Sequence, residues 1–489
     1  MTARSSGGAR TAFLAAALAT LLLSAASDVR AGDDAKGGAA GTAGASAMAS
    51  AVAKIEEKYA PAMETLGQWC GDSTLFVERA QIAEALLLVD SENEKARSWL
   101  RYVRQKDRTW KQTNARPFFD EKKELLPEWT KRRAAALDPM RAELEPFLAE
   151  RDDWRTAGVR DRVLRTLVAV WADDADLHDR NGETSIDGKW LLKETVGVAV
   201  RRRRLIDVAS AALKTAVTDA SAYPQRVAEY GTCVTAPDFE LRARVPPAEA
   251  VEMAARITAA RAVADEFLFQ RSRFRPGFVF HLFGSIEEGR RFLASRPDVS
   301  PERRKFGDGR GSWWPTDDEL VVDDDAREKR LDDCVRQTFD MLRRADGYHL
   351  YYAPGFLSEG VGMYLTWALL GTRLTVFVQT TQYADQARRE LADAGADWVN
   401  VVRKQVLEKG VAPNLKVLIG TPLNSMTRDD GVMSYALAAY FLEGRPDDFR
   451  RLFGTMTRKH GFPESLAETL DIDVEGLELR FVRWLRETK

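Results

Sequence analysis

The sequence predicts an α+β protein, mostly α-helical, in which a helical N-terminal region precedes a domain with a small β-sheet. Three observations carry this. Apolar residues recur three and four apart almost without interruption from Ala47 to about Thr235. Gly277 to Phe283 (GFVFHLF) is a short run of valine and aromatics that reads as a buried strand. Five or more helical patterns follow it to the C-terminus, and a small sheet succeeded by a run of helices is an α+β signature.

The first ten residues carry Arg4 and Arg10 and no acid, and Ala12 to Ala26 is an apolar run. That run falls short of the ~20 residues needed to span a bilayer, and Val29-Arg30-Ala31 or Ser24-Ala25-Ala26 offers a small-residue cleavage site. Residues 1–31 therefore read as a secretory signal peptide. The chain is expected to be exported to the periplasm or the extracellular space, with no transmembrane segment after signal removal. No cysteine near either cleavage site is placed to carry a lipid anchor. Residues 32–46, rich in Gly, Ala and Asp, have nothing to bury and are expected to form a disordered leader.

Removing residues 1–31 takes away Arg4, Arg10, Arg30 and Asp28 and moves the formal net charge from -2 to -4, which gives no support to nucleic-acid binding. Arg201 to Arg204 is the densest basic patch. It reads as a solvated helix face beside Leu205 and Ile206, the alternative being contact with an anionic surface. Cys70, Cys233 and Cys334 allow at most one intramolecular disulfide. Cys70 to Cys233 is the expected pair, both lying in the N-terminal half, with Cys334 buried in a later helix. No CxxC is present, so neither a cysteine zinc site nor a thioredoxin-type activity has support.

Residues 47–245 are assigned to a helical, repeat-like domain. Thr74 to Leu88 and Ser91 to Val103 read as helices, with Asp90-Ser91 as stop and N-cap between them. The segment AEALLLVDSENEKARSWLRYV resembles the second helix of a tetratricopeptide-like repeat running into the next. Residues 90–110 and 173–190 echo each other: an acidic opening, a polar helix start, and a charged turn closing on Trp. Pro246-Pro247 breaks the chain, so the second domain is placed at 246–489. There Ala248 to Phe269 reads as a long helix, Ser285 caps the next, and WWPTDDELVVDDD suggests an edge strand around Glu319 to Val322.

Within the second domain, Pro354-Gly-Phe-Leu-Ser-Glu-Gly-Val-Gly-Met-Tyr364 sets one carboxylate, Glu359, in an apolar, glycine-rich helix. This motif, after strand, strand, helix and loop, resembles the gluzincin (thermolysin-like) metallopeptidases, and especially their compact peptidase MA-like members. The similarity covers roughly residues 260–489 and includes GVMSYALAAYFLEG and LAETLDIDVEGLELRFVRWL. The family carries HExxH on one helix and a proline, an aromatic and E-G on the next. The resemblance implies a gluzincin-like domain in which Glu359 stands at the third zinc ligand. It also implies an edge strand able to hold peptide by strand addition.

The first motif is degenerate. At the family's interval, Arg336 and Asp340 occupy the histidine positions and Gln337 that of the catalytic glutamate. HExxH works because residues four apart share a helical face, where two neutral imidazoles grip zinc and the adjacent carboxylate deprotonates its water. A guanidinium is permanently protonated and cannot ligate a cation, and an amide is no general base. Asp340, Glu359 and Gln337 offer oxygens to a hard cation such as calcium, which Arg336 beside them opposes. The four histidines, His178, His281, His349 and His460, show no ligand spacing, and His349 alone lies between the two motifs.

No metal and no cofactor are therefore expected. Arg336 either forks between Asp340 and Glu359 in a buried network or forms an ordinary exposed helix pair with Asp340. Trp313, Trp314, His349 and Tyr435 are the candidate binding residues: at most one tryptophan faces the groove if both lie on a strand, and Tyr435 sits on a helix that approaches the family's active site. The expected function is a non-catalytic pseudopeptidase that binds or scaffolds a protein or peptide. The alternatives are an active zinc peptidase with atypical ligands, and a helical-repeat interaction protein that the C-terminal domain merely supports.

Overall fold

The computed structural model describes residues 35–106, 110–112, 122–149, 154–215, 221–222, 230–268, 274–307, 311–345, 354–374, 393, 395–456 and 461–488. Residues 1–31, expected from the sequence to be a signal peptide, and His349 and His460 lie outside them. Among the described residues no helix is long and apolar enough to cross a membrane.

The chain enters through α1 (Ala35–Asp72), which takes in most of the stretch expected to be a disordered leader. Alanine is the strongest helix former, and six of residues 35–47 are alanine, so the segment extends the helix that follows it. Next come α2 (Phe76–Val89), α3 (Glu94–Trp99) and a hairpin of β1 (Tyr102–Arg104) and β2 (Trp110–Gln112). The helix expected over Ser91 to Val103 is thus only one and a half turns long. Asn93, not Ser91, is its N-cap, accepting from the Ala96 amide, and Arg101 at φ +63° turns the chain out into a strand.

The same sequence of elements recurs. After α4 (Leu126–Leu144) come α5 (Ala157–Val170), α6 (Ala175–Arg180) and a hairpin of β3 (Glu183–Ile186) and β4 (Lys189–Leu192). Phe76, Glu94 and Tyr102 open elements whose counterparts open at Ala157, Ala175 and Glu183, a constant step of 81 residues. The step also relates the caps Asn93 and Asp174, the left-handed residues Arg101 and Gly182, and buried Leu86, Ala96 and their counterparts Leu167 and Leu177. The unit is helix, short capped helix, hairpin, so the tetratricopeptide likeness ends where the chain turns into β1. The core of this half joins α1, α2, α4 and α5 and ends at Leu177.

The second half begins before the expected boundary. Helix α7 (Val198–Thr215) packs on later helices, and Leu205 and Ala209 belong to the main core. Strands β5 (Ser221–Ala222), β6 (Thr232–Thr235) and β7 (Glu240–Ala243) join β8 (Val279–Leu282), β9 (Ser312–Trp313) and β10 (Glu319–Val322) in one mixed sheet of order β5-β6-β7-β8-β10-β9. Because β7 pairs parallel with β8, the chain cannot divide at residue 245 without splitting the sheet. Pro246-Pro247 instead starts α8 (Pro247–Phe267), where the missing N–H of a proline at the first turn loses nothing. The expected edge strand, β10, is internal, held between β8 and β9; the edge on that side is the two-residue β9.

Helices α9 (Ile286–Ala294), capped by Ser285, and α10 (Pro301–Gly307) connect β8 to β9. Helices α11 (Arg327–Ala345) and α12 (Gly355–Leu370) follow the sheet, with Pro354 before α12 and Gly371 at φ +69° ending it. The remainder is helical: α13 (Trp398–Arg403), α14 (Leu415–Gly420), α15 (Arg428–Ala439), α16 (Pro446–Met456), α17 (Phe462–Leu470) and α18 (Val474–Glu487). The last two return to the first half: Arg160 pairs with Asp471, Arg483 with Glu183, and the Leu192 amide donates to Glu487 at 3.1 Å.

All three cysteines are free and buried. The expected Cys70–Cys233 bridge is absent because Cys70 lies in the helical core while Cys233 sits on β6 of the sheet. The basic run of α7 is divided: Arg201 and Arg202 are half-buried and tied to neighbouring elements, while Arg203 and Arg204 lie on the exposed face that the sequence suggested. Arg201 donates to the Glu443 and Glu194 carbonyls, Arg202 forks onto Glu443 at 2.6 and 2.7 Å, and Arg203 and Arg204 pair with Asp207 and Glu266.

Candidate functional site

On α11, Arg336, Gln337 and Asp340 share one face, as their spacing of one and four dictates. That face meets the first turns of α12, where Ser358 and Glu359 sit. Arg336 Nη2 donates to Glu359 Oε2, and both side chains are 1% exposed. Ser358 Oγ donates to Asp340 Oδ1 at 3.3 Å, and Asp340 is equally enclosed. Burial alone would lower the Arg336 pKa. Glu359, joined to it, and the nearby charges of Asp340 and Asp333 outweigh burial and hold it above the ordinary guanidinium value. Of the two arrangements open to Arg336, the structure has the buried one: a hydrogen-bonded pair with Glu359 and a through-space attraction to Asp340.

Glycines of the motif set this meeting. A Cβ on Gly360 would fall 2.2 Å from the Ser434 carbonyl oxygen of α15, and one on Gly362 would touch Arg336 Cγ at 3.0 Å. Each lets α12 approach a neighbour, and Gly362 makes the space that the Arg336 stem fills. Gln337 turns to the sheet edge, its Nε2 donating to Ser312 Oγ of β9 at 3.0 Å. Gln337 thus ties its helix to the edge strand.

The residues present do not fit a zinc ion. Of the two carboxylates, Glu359 is bonded to the Arg336 guanidinium, which has five donors and no lone pair to give, and Asp340 accepts from Ser358. Among the described residues no group of three or more His, Cys, Asp or Glu is arranged to hold a metal. His178 lies in the first half, bonded to Glu183 and stacked on Trp190 with centroids 4.1 Å apart. His281 projects from the sheet face opposite the main core.

The other candidates are dispersed. Trp313 is buried with Phe283, Phe292 and Val321 on that opposite face, away from Glu359, and half-buried Trp314 packs against the main core. Tyr435 is buried beside Tyr364 and Trp367, with the Arg373 guanidinium 4.6 Å above its ring. Burial pushes its hydroxyl well above the usual phenol range. It packs along the second half of α12 rather than at Glu359. The structure thus joins Arg336, Gln337, Asp340 and Glu359 and leaves Trp313 and Tyr435 in cores.

A polar chain on the sheet was not anticipated. Glu319 accepts from Arg296 Nη1 and Nη2 at 3.0 and 2.8 Å and faces His281 Nε2 at 3.3 Å, while His281 Nδ1 meets the Tyr230 hydroxyl at 2.7 Å. Burial alone would raise Glu319, but the bonds from His281 and Arg296 prevail and hold it at about 2. An ionised Glu319 can only accept, so Nε2 carries the imidazole proton and Tyr230 donates to Nδ1. Burial lowers His281 below its ordinary value. The available signal was a histidine at the sole polar position of an apolar strand, GFVFHLF.

Compared with known protein families, curated proteins and solved structures, the chain matches none.

Proposed function

We propose that this chain is an exported, non-hydrolytic protein on a gluzincin-like scaffold that acts as a protein- or peptide-binding module. One observation carries the reading: the position of the third zinc ligand, Glu359, is occupied by a buried bond to Arg336. A buried carboxylate needs a compensating cation, and here the cation is a side chain that cannot polarise water or a carbonyl as a Lewis acid. Gln337, an amide tied to Ser312, supplies no general base.

Elemental analysis of the purified mature chain tests this, together with peptide cleavage assayed with and without chelator. Substoichiometric transition metal and no chelator-sensitive cleavage are expected. One equivalent of tightly held zinc, or cleavage abolished by chelator, would establish the active-peptidase alternative.

A further inference from the structure

Between the two halves lies a cavity of about 540 Å³, within the range of about 300–1,000 Å³ typical of small-ligand sites, which favour such seams. Its floor is apolar, formed by Val52 and Val159 from the first half and Ile419, Ala467 and Val474 from the second. The first half adds a basic wall, Arg155, Arg162 and Arg165. The second adds Glu464, Asp473 and Glu475, with Lys416 at the side.

These charges are not all spent. Arg165 is paired with Asp161 at 3.0 Å and Arg162 Nη2 is bonded to the fully buried Glu56, yet Arg162 Nε is enclosed without a hydrogen-bond partner. Glu464, Glu475 and Lys416 hold no hydrogen bond or ion pair among the described residues. Asp473 is engaged as the N-cap of α18, accepting from the Gly476 amide at 2.7 Å.

We propose that this cavity binds a short peptide with free termini, its carboxylate toward the arginines, its ammonium toward Glu464 and Glu475, and its side chains on the floor. Opposite charges on facing walls select a zwitterion: a purely anionic amphiphile would meet the carboxylates, and a purely cationic one the guanidinium groups. The proposal rests on the peptide-binding reading above and moves its seat from the buried Arg336–Glu359 region to the seam.

Calorimetry of the full mature chain with the tripeptide Ala-Leu-Ala tests it, alongside the N-acetylated and C-amidated forms. Capping either end should weaken binding by about tenfold or more, the scale of one hydrogen bond to a charged group. Glu464→Gln with Glu475→Gln should weaken the free peptide without weakening the acetylated one. Ala49→Trp, at an exposed rim position, should block binding while leaving the melting temperature unchanged. Equal binding of capped and free forms, binding of dodecanoate in place of the tripeptide, or no heat at millimolar tripeptide would each overturn the proposal.

Recovery of the peptide separates the two readings. A tripeptide that binds and returns cleaved refutes the non-hydrolytic function but not the site; capture of longer peptides unaffected by Ala49→Trp refutes the site but not the function.

Discussion

The pair Arg336–Glu359 yields the sharpest expectation because both partners are 1% exposed and their surroundings are unequal. Removing one member of a buried pair costs about 3–5 kcal/mol, since the other charge is left uncompensated, whereas an exposed pair is worth about 0–1 kcal/mol. Arg336→Met strands Glu359 and also removes the positive charge felt by Asp340, so it should reach or exceed the upper end of that range. Glu359→Leu leaves Arg336 beside Asp340 and should cost less, about 2–3 kcal/mol. The double variant should recover much of the loss, because replacing both charges by apolar groups is often near neutral. Urea unfolding followed by tryptophan fluorescence, analysed as a double-mutant cycle, reads the coupling. Arg336→Met within about 1 kcal/mol of wild type, or two single costs that simply add, would show that the charges do not depend on each other, and the account of a coupled buried pair would lose its basis.

Gly360→Ala should destabilise by at least about 1–3 kcal/mol, because its Cβ meets the backbone of Ser434 at 2.2 Å; Gly362→Ala should cost less, since the Arg336 stem can shift. Thermal melts that rank them the other way would refute the close-packing account. Burial, with the charges of neighbouring aspartates, raises Asp323 to about 7 and Asp333 to about 8. Their folded pKa values exceed the unfolded ones, so the folded state holds these protons longer and stability falls as pH rises from about 4 through 8. His281 works in the opposite sense below about pH 6.5 and Glu319 only toward pH 2, which leaves pH 6.5–8.5 as the window for the aspartates. Asp333→Asn should therefore gain melting temperature over wild type as pH rises through that window; a pH-independent difference would refute it. The three buried, free cysteines predict that reductant leaves the melting temperature of native protein unchanged.

What the sequence made legible follows the length and uniformity of its signals. Strand β8 was readable because GFVFHLF packs valine and aromatics into one run, and α9 because Ser285 caps it, accepting from the Glu288 amide. Strands β6 and β7 were not: TCVT and ELRA are four residues each, and only their ladders to each other and to β8 make them strands. The domain boundary failed for the same reason, since Pro246-Pro247 is equally a breaker and a helix start, and only the parallel pairing decides. At the site, the meeting of Arg336 with Glu359 was one of two arrangements that the family resemblance left open, and the spacing within each helix could not choose between them. The fate of Trp313 and Tyr435 was not readable either, because which face a side chain takes depends on the register of β9 and the packing of α15, neither of which is local. The seam cavity had no sequence signal at all: its walls come from segments more than two hundred residues apart.

The arrangement at α11 and α12 also bears on why charges persist there. Apolar residues of similar volume would often serve stability as well as a buried ion pair, so stability alone does not explain the retention of Arg336 and Glu359. Geometry narrows the choice. Gly360 and Gly362 bring α12 so close to α15 and α11 that the space beside Glu359 is shaped for an extended stem ending in a planar fork. Lysine at 336 would carry the same charge but, as a compact ammonium without that fork, could not answer Glu359 and the neighbouring Asp340 in the same geometry. Arg336→Lys therefore separates charge from shape: if charge suffices it matches wild type, and if the fork fixes how the two helices meet, it loses a large part of what Arg336→Met loses.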